Sequence, residues 1–571
     1  MIRTLRLSAF GVIPAVMALV AGASGARADM VFPQAQMDGN GYVKLRGGPT
    51  LGRNLLGQFY AVPGRPFYSA GLLGGVVADD GTDQTSNILD AIQKVPAAGG
   101  TLLLPCGKIL YSSVTIPNPR LRVGSFNQRC VELTSVASAA SLNGLTFTGD
   151  YSGSDGLTFA HLDFEGGVAR TGGYTVNLAN GYGYVRDSLF RHCFICVRMG
   201  ATGGTMMVEG NTFAYAADGV TSPGSGYILV DNSSVGPHNI IARNLGLSNF
   251  LDNNPANRRY PDAAVTVTQT GELYAFANDW VSNRTSYKIV PGNGQRVEKV
   301  TLAIGSNDSA QAGNVVVRPV GTGRVFDLSI PTPWLTNSKQ IDSAVNTIGV
   351  DLDASAATPT ASFPYPINMV SITGGGQITS TTGQTGSGLR CKGPVYNVTV
   401  TGVSFSGWEK GIQAQAGCSH LTAADNKIGK FSPFGGAAAP SPNDTNKVGI
   451  AIEAGTDAII AHDNDLTGNT TAALQNASTG INNRFHDNLG YNPIGGGTVT
   501  VSASPMQLGP LPTTASYVVF GGSAVTVTVG AANGGGNLSI CPGSPCSFTI
   551  PAGQLATMTY TAAPTVNQIL H

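Results

Sequence analysis

Asp163 and Glu165, in His161-Leu-Asp-Phe-Glu-Gly166, are two carboxylates separated by a single residue. On a strand, residues two apart share a face, with Cα atoms roughly 6.6–6.8 Å apart. Two carboxyls at that range can act as acid and base. Hydrolysis of a glycosidic bond uses such a pair, about 5–5.5 Å apart for retention and about 6.5–9.5 Å for inversion. The eight cysteines also fall into neighbouring pairs: Cys106 and Cys130, Cys193 and Cys196, Cys391 and Cys418, Cys541 and Cys546. An even, paired set fits disulfides, and Cys541-Pro-Gly-Ser-Pro-Cys546 reads as a stapled turn. Metal binding is the rival for Cys193-Phe-Ile-Cys196, but no second such pair or nearby histidine pair completes a zinc set. There is no Gly-x-Ser-x-Gly elbow, and the glycine clusters lack a phosphate-binding lysine. Neither a metal nor an organic cofactor is expected.

The elements that must position these groups begin after an export-type segment. Arg3 and Arg6, an apolar run from Leu7 to about Val20, and Ala26-Arg-Ala28 read as a signal peptide over residues 1–28. Removing Arg3, Arg6 and Arg27 from 33 basic and 33 acidic residues leaves a net charge of −3. Such a balance carries no electrostatic footprint for nucleic acid. No later segment is long and apolar enough to span a bilayer, so a secreted or periplasmic protein is expected. The 76 glycines imply many short strands joined by tight turns.

One pattern recurs downstream: a β-rich triplet, a small polar residue, then a short apolar strand. It is found at Val185-Arg-Asp-Ser188, Val208-Glu-Gly-Asn211, Ile241-Ala-Arg-Asn244, Ala423-Ala-Asp-Asn426, Ala461-His-Asp-Asn464 and Gly480-Ile-Asn-Asn483. Asparagine at a corner can hydrogen-bond its counterpart one coil above, forming a ladder. Other strands, among them Val197-Arg-Met199, Gly219-Val-Thr221, Phe250-Leu-Asp252, Gly388-Leu-Arg390 and Gly411-Ile-Gln-Ala414, would open each coil. The variable period excludes a strict short repeat.

Upstream, Asp79-Asp-Gly-Thr-Asp-Gln-Thr85 precedes a helical pattern (Ile88, Leu89, Ile92, Val95) that Ser or Thr can cap. Ala98-Gly-Gly100 and Thr101-Leu-Leu-Leu-Pro105 follow. This order resembles the opening of the pectate-lyase-like superfamily (the pectin lyase fold). The resemblance implies an all-β, right-handed parallel β-helix over 69–490, with a helix covering its open end. A polar lead-in (29–68) would precede it. The stretch 255–365, with strands but no asparagine corner, reads as a β-rich insertion or lateral subdomain. Residues 491–571 read as a β-sandwich resembling the C-terminal module of tailspike-like proteins. The carboxylates of the opening motif read as turn and cap residues.

The resemblance also implies an extended glycan in a groove along the first sheet. Its outward positions would be Asn177, Arg198, Thr221, Asp252, Arg390 and Gln413. Asp218 lies one coil before Asp252, at an estimated separation of about 11 Å, and is the second candidate carboxylate pair beside Asp163 and Glu165. Arg198 and Arg390 would hold a uronate carboxylate. Trp280 and Trp408 would either stack on sugar or fill the core, as would Trp334. The sequence lacks the calcium-binding cluster of pectate lyases and the Asn-Thr-Asp, Asp-Asp and Gly-His-Gly series of polygalacturonases. The leading expectation is a secreted glycoside hydrolase. A polysaccharide lyase using Arg198, Arg390 or Lys410, a non-catalytic glycan-binding or adhesive β-helix, and an epimerase or fructan transferase remain alternatives. Tailspike-like relatives include homotrimers, a state open to this chain.

Overall fold

A coil closes into a triangle only if the chain turns sharply between strands, and one corner does so by placing a single residue in the left-handed region. Asp187 (φ 50°), Gly210 (φ 67°), Arg243 (φ 54°) and Ala277 (φ 52°) each precede the polar residue of that corner, and Asp425, Asp463 and Asp487 repeat the arrangement. The following side chains then stack. Asn211 Nδ2 donates to Asn244 Oδ1 (3.1 Å), and Asn244 Nδ2 donates to Asn278 Oδ1 (3.0 Å). A second ladder joins Asn426, Asn464 and Asn488 at 2.9 and 2.8 Å. Each amide also accepts from a backbone N–H one coil earlier, so the buried corner is satisfied internally.

In the computed structural model these corners generate a right-handed parallel β-helix with three sheets of fifteen, twelve and thirteen strands. One coil runs Met206–Glu209, Thr212–Ala214, Gly226–Asp231, passing through the three sheets in that order. The structure describes strands Ala35–Met37 and Val43–Leu45 and residues 66–570. Several segments are excepted, 249–259 and 431–444 the longest. Residues 1–67 and 68–571 are separate compact units, and in the first the two short strands pair antiparallel. The signal-type segment lies outside the described residues. Among those described, no helix is long and apolar enough to cross a membrane.

The stretch set apart above as an insertion instead continues the solenoid. Strands Ala263–Gln269 through Ile348–Asp353 take consecutive places in all three sheets. Asn278 is an asparagine corner inside it. Beyond Asn278 the same corner is built by Gly305, Pro333 and Gly376, and at both glycines the neighbours leave no room for a Cβ. A Cβ on Gly305 would come 2.3 Å from the Asn278 carbonyl oxygen. Asn483 does not belong to the ladder. It sits before strand Arg484–His486, where its Oδ1 accepts from the Ile459 N–H, and Asn488 takes the corner position. The strand expected at Gly219-Val-Thr221 is found at Gly226–Asp231. Phe250-Leu-Asp252 lies outside the described residues, and the next strand of that sheet is Ala263–Gln269.

At the N-terminal end, helix Thr85–Lys94 buries Ile88, Ala91 and Ile92. Its cap differs from expectation. Asp83 Oδ1 accepts from the Thr85 N–H (2.9 Å) and hydroxyl (2.6 Å), while Asp80 accepts from Thr82 and Gln84. The opening acids are therefore turn residues. At the other end, two four-stranded antiparallel sheets enclose Leu508, Tyr517, Val519, Val527, Met558 and Val566 in a β-sandwich. All four cysteine pairs stand at disulfide distance, with Cα–Cα separations of 4.9, 5.1, 5.7 and 5.9 Å.

Candidate functional site

Strand Leu162–Glu165 belongs to the twelve-stranded sheet, where Leu162 and Phe164 point into the core and Asp163 and Glu165 point outward. Alternation thus puts the two carboxylates on one face, as their spacing requires. The neighbouring coils complete a cluster. Glu132 lies opposite Asp163 on one side, and Arg191 lies opposite Glu165 on the other. The Arg191 guanidinium reaches Asp163 at 2.8 Å, Glu132 at 3.2 Å and Glu165 at 3.5 Å. His192 Nδ1 is 2.7 Å from Glu165 Oε1, and its ring stacks on Tyr215 at 5.6 Å between centroids. Three carboxylates thus share one arginine, an imidazole and an exposed tyrosine.

The electrostatics of Asp163 are set chiefly by its burial. Burial, with help from the charges of Glu132 and Glu165, raises the Asp163 carboxyl above its ordinary 3.8 despite the pull of Arg191. Arg191 is itself held above the usual arginine range, because its acidic neighbours outweigh its burial. A carboxyl raised by burial therefore stands beside one that contacts an imidazole.

The thirteen-stranded sheet carries the other sequence-predicted residues. Asn177, Arg198, Arg390 and Gln413 do occupy one row, continued by Leu229, Thr266, Lys288, Val316 and Asp351. Thr221 is not in the row, since it precedes the strand. The arginines are already engaged. Arg198 pairs with Asp231 at 2.9 Å and lies 5.2 Å from the Tyr174 ring. Arg390 grips Asp351 through Nε (2.8 Å) and Nη2 (3.0 Å) and reaches Asp353 at 3.4 Å. Arg318 closes on Asp351 from the opposite coil. Lys410 pairs with Glu453 at 2.9 Å. These cations neutralise buried or half-buried acids on the sheet itself.

The two tryptophans named as sugar contacts are in the core. Trp280 is fully buried, filling the space left by Gly246 against Tyr227. A Cβ on Gly246 would lie 2.5 Å from the Trp280 ring and 2.6 Å from the Tyr227 ring. Trp408 is equally buried, and its indole N–H donates to the Ile378 carbonyl (2.9 Å). Trp334, by contrast, is 51 % exposed on the twelve-stranded sheet. Asp218 and Asp252 lie outside the described residues.

Sequence reasoning missed Glu132, Arg191, His192 and Tyr215, which join the cluster only through coil stacking, and it missed Asp351 and Asp353. A signal for Asp351 exists. Gly349-Val-Asp351 repeats the Gly-x-outward pattern of Gly388-Leu-Arg390 and Gly411-Ile-Gln413, and the three are in register.

The chain matches no model of a known protein family and no curated protein. Solved structures similar to it include the tailspike protein of E. coli bacteriophage HK620 in complex with pentasaccharide. That match has 12% identity and a TM-score of 0.48, covering 88% of this chain and 93% of the other. The tailspike protein 3 of bacteriophage CBA120 matches at 13% identity and a TM-score of 0.42, over 78% and 69% of the two chains.

Proposed function

We propose that this chain is an exported glycan-active β-helix protein that hydrolyses a glycosidic bond at Asp163 and Glu165. The observation that carries the reading is a pair of carboxyls on one strand face with different neighbours. Burial raises the Asp163 carboxyl, while Glu165 faces His192 and Arg191. Carboxyls whose environments differ in this way can divide the roles of acid and base. Asp163 would protonate the leaving oxygen, and Glu165 would assist water or attack the anomeric carbon. Arg191 positions both, and the exposed Tyr215 ring beside His192 offers a surface for a sugar face.

A lyase acting through Arg198, Arg390 or Lys410 has less support, because each is neutralised by an acid on its own sheet. The test is to incubate the exported protein with neutral and acidic polysaccharides, following reducing ends and the absorbance of an unsaturated uronate. Reducing ends without that absorbance, lost in Asp163→Asn and Glu165→Gln, are expected. Full activity in both variants would overturn the site, and unsaturated products would overturn the reaction class.

A further inference from the structure

Where the thirteen-stranded sheet passes into the fifteen-stranded one, a shallow cleft of about 180 Å³ is lined by Gly294, Arg296, Thr322, Gly323, Arg324 and Phe363, among others. Arg296 and Arg324 face each other in register on adjacent parallel strands, so their Cα atoms are about 4.8 Å apart. Two guanidinium groups are thereby held together with little compensation. Among the described residues, the nearest carboxylate to Arg296 is Glu298 at 3.9 Å, and Arg324 has no ion pair. Burial and the charge of Arg296 pull Arg324 below the usual arginine range, with Glu298 opposing. This contrasts with the thirteen-stranded face, where Arg198, Arg318 and Arg390 each close on an aspartate.

The cleft is built rather than accidental. The Arg324 guanidinium lies 3.5 Å from the centroid of the Phe363 ring, which fixes its plane. Thr322 ties two successive turns together. Its hydroxyl accepts from the Gly294 N–H (2.9 Å), and its own N–H donates to Asn293 Oδ1 (3.0 Å). Gly323 is packed so closely that a Cβ there would lie 2.1 Å from the Pro291 carbonyl oxygen. Two residues along the same strand face as Arg324, Phe326 is 42 % exposed. An uncompensated planar cation with an exposed aromatic ring beside it matches a carboxylate carried on a sugar ring. The guanidinium takes the carboxylate through two parallel bonds, and the aromatic face takes the apolar side of the sugar.

We propose that this cleft binds the carboxylate of a uronic acid residue in a polysaccharide chain, with Arg324 and Arg296 as the anion contacts and Phe326 as the sugar platform. The strands bearing it lie five and six coils beyond Asp163, about 24–29 Å along the solenoid axis, and on a different sheet. The site is therefore independent of the carboxylate cluster.

The experiment is calorimetric titration of the full chain with trigalacturonate, a glucuronate trisaccharide and a mannuronate trisaccharide. Maltotriose and inorganic phosphate serve as the neutral and simple-anion probes. At least one uronate should bind and maltotriose should not. Arg324→Gln should weaken that binding by about tenfold or more. Arg324→Lys, which keeps the charge and loses the planar fork, should fail to restore it. Phe326→Ala should also weaken it. Unchanged melting temperatures would exclude misfolding as the cause. Failure of all three uronates to bind would overturn the proposal, as would binding indifferent to Arg296→Gln and Arg324→Gln. Phosphate binding as tight as the uronate's would reduce the site to a general anion contact and overturn the sugar assignment.

Discussion

A carboxyl raised above its ordinary value changes both reactivity and stability, and for Asp163 the two can be measured on one variant. The folded protein holds the Asp163 proton more tightly than the unfolded chain does. Its contribution is therefore most favourable below 3.8 and is lost as pH rises through the higher folded value. Asp163→Asn cannot titrate. Its melting temperature relative to the parent should rise across that window and then level off. A difference that stays flat from below 3.8 to neutral pH would mean that Asp163 is not raised. In the same variant, hydrolysis should fall by about 10²–10⁴-fold, the usual contribution of a positioned acid. Glu453 gives the opposite sign. Although burial pushes it up, donors from Gln413, Lys410 and Gln415 hold it below its ordinary value. Its stabilising contribution should persist above 4.5 and disappear as pH falls through the lower folded value. Glu453→Gln should therefore lose stability at neutral pH and converge on the parent in acid. Trp280 supplies a residue-scale control without titration. Because it fills the space opposite Gly246, Trp280→Ala should cost about 3–5 kcal/mol in denaturant unfolding and leave sugar binding intact. Loss of binding without loss of stability would restore it to a ligand site.

The asparagine ladder is the element that sets the register of the coils, and its cost of removal should depend on position. Asn244 donates to Asn278 and to the Val208 carbonyl, and its Oδ1 accepts from the Asn211 side chain and backbone. Asn244→Ala leaves several of these buried partners unmet, at about 1–3 kcal/mol for each. Asn488 terminates its ladder and is more exposed than Asn464, so Asn488→Ala should be milder. Equal melting shifts for the two variants would show that the ladder adds little beyond local turns. This element was readable at Asn211, Asn244, Asn426 and Asn464, where a left-handed Asp, Gly or Arg precedes Asn, but it was missed at Asn278, which follows a left-handed alanine, and at Asn488. It became unreadable from Gly305 to Val403, where glycine, proline and valine make the same corner and the coils continue unseen. Asn483 shows the converse failure, since its flanking residues imitate the pattern at a different corner. The site was only partly legible for a related reason. Asp163 and Glu165 share a face by strand alternation alone, whereas Glu132, Arg191 and Tyr215 reach it from other coils at separations no local pattern encodes.

At the scale of the whole molecule, a solenoid of parallel strands ends in two open edges, each able to recruit another chain unless covered. Near the N-terminal edge, helix Thr85–Lys94 buries its apolar side. The last strand of the fifteen-stranded sheet, Arg484–His486, has a different partner. Its Phe485 N–H donates to the Pro512 carbonyl (2.7 Å), and Arg484 reaches the Gly553 carbonyl, both in the sandwich. The sandwich core is complete in itself, with eleven buried residues packed around Tyr517 and Met558. Its contact with the solenoid is therefore separable from its own folding. Truncation after residue 490 should leave the coils intact by circular dichroism but expose the Phe485 edge, giving concentration-dependent association in light scattering. Lysine at Phe485 would be a poor remedy, because that side chain is buried. Lysine at the outward His486 of the truncated chain should reduce association, since a charge on an exposed edge opposes strand pairing. A truncated chain that stays monodisperse at every concentration would mean that the sandwich serves some purpose other than covering the edge.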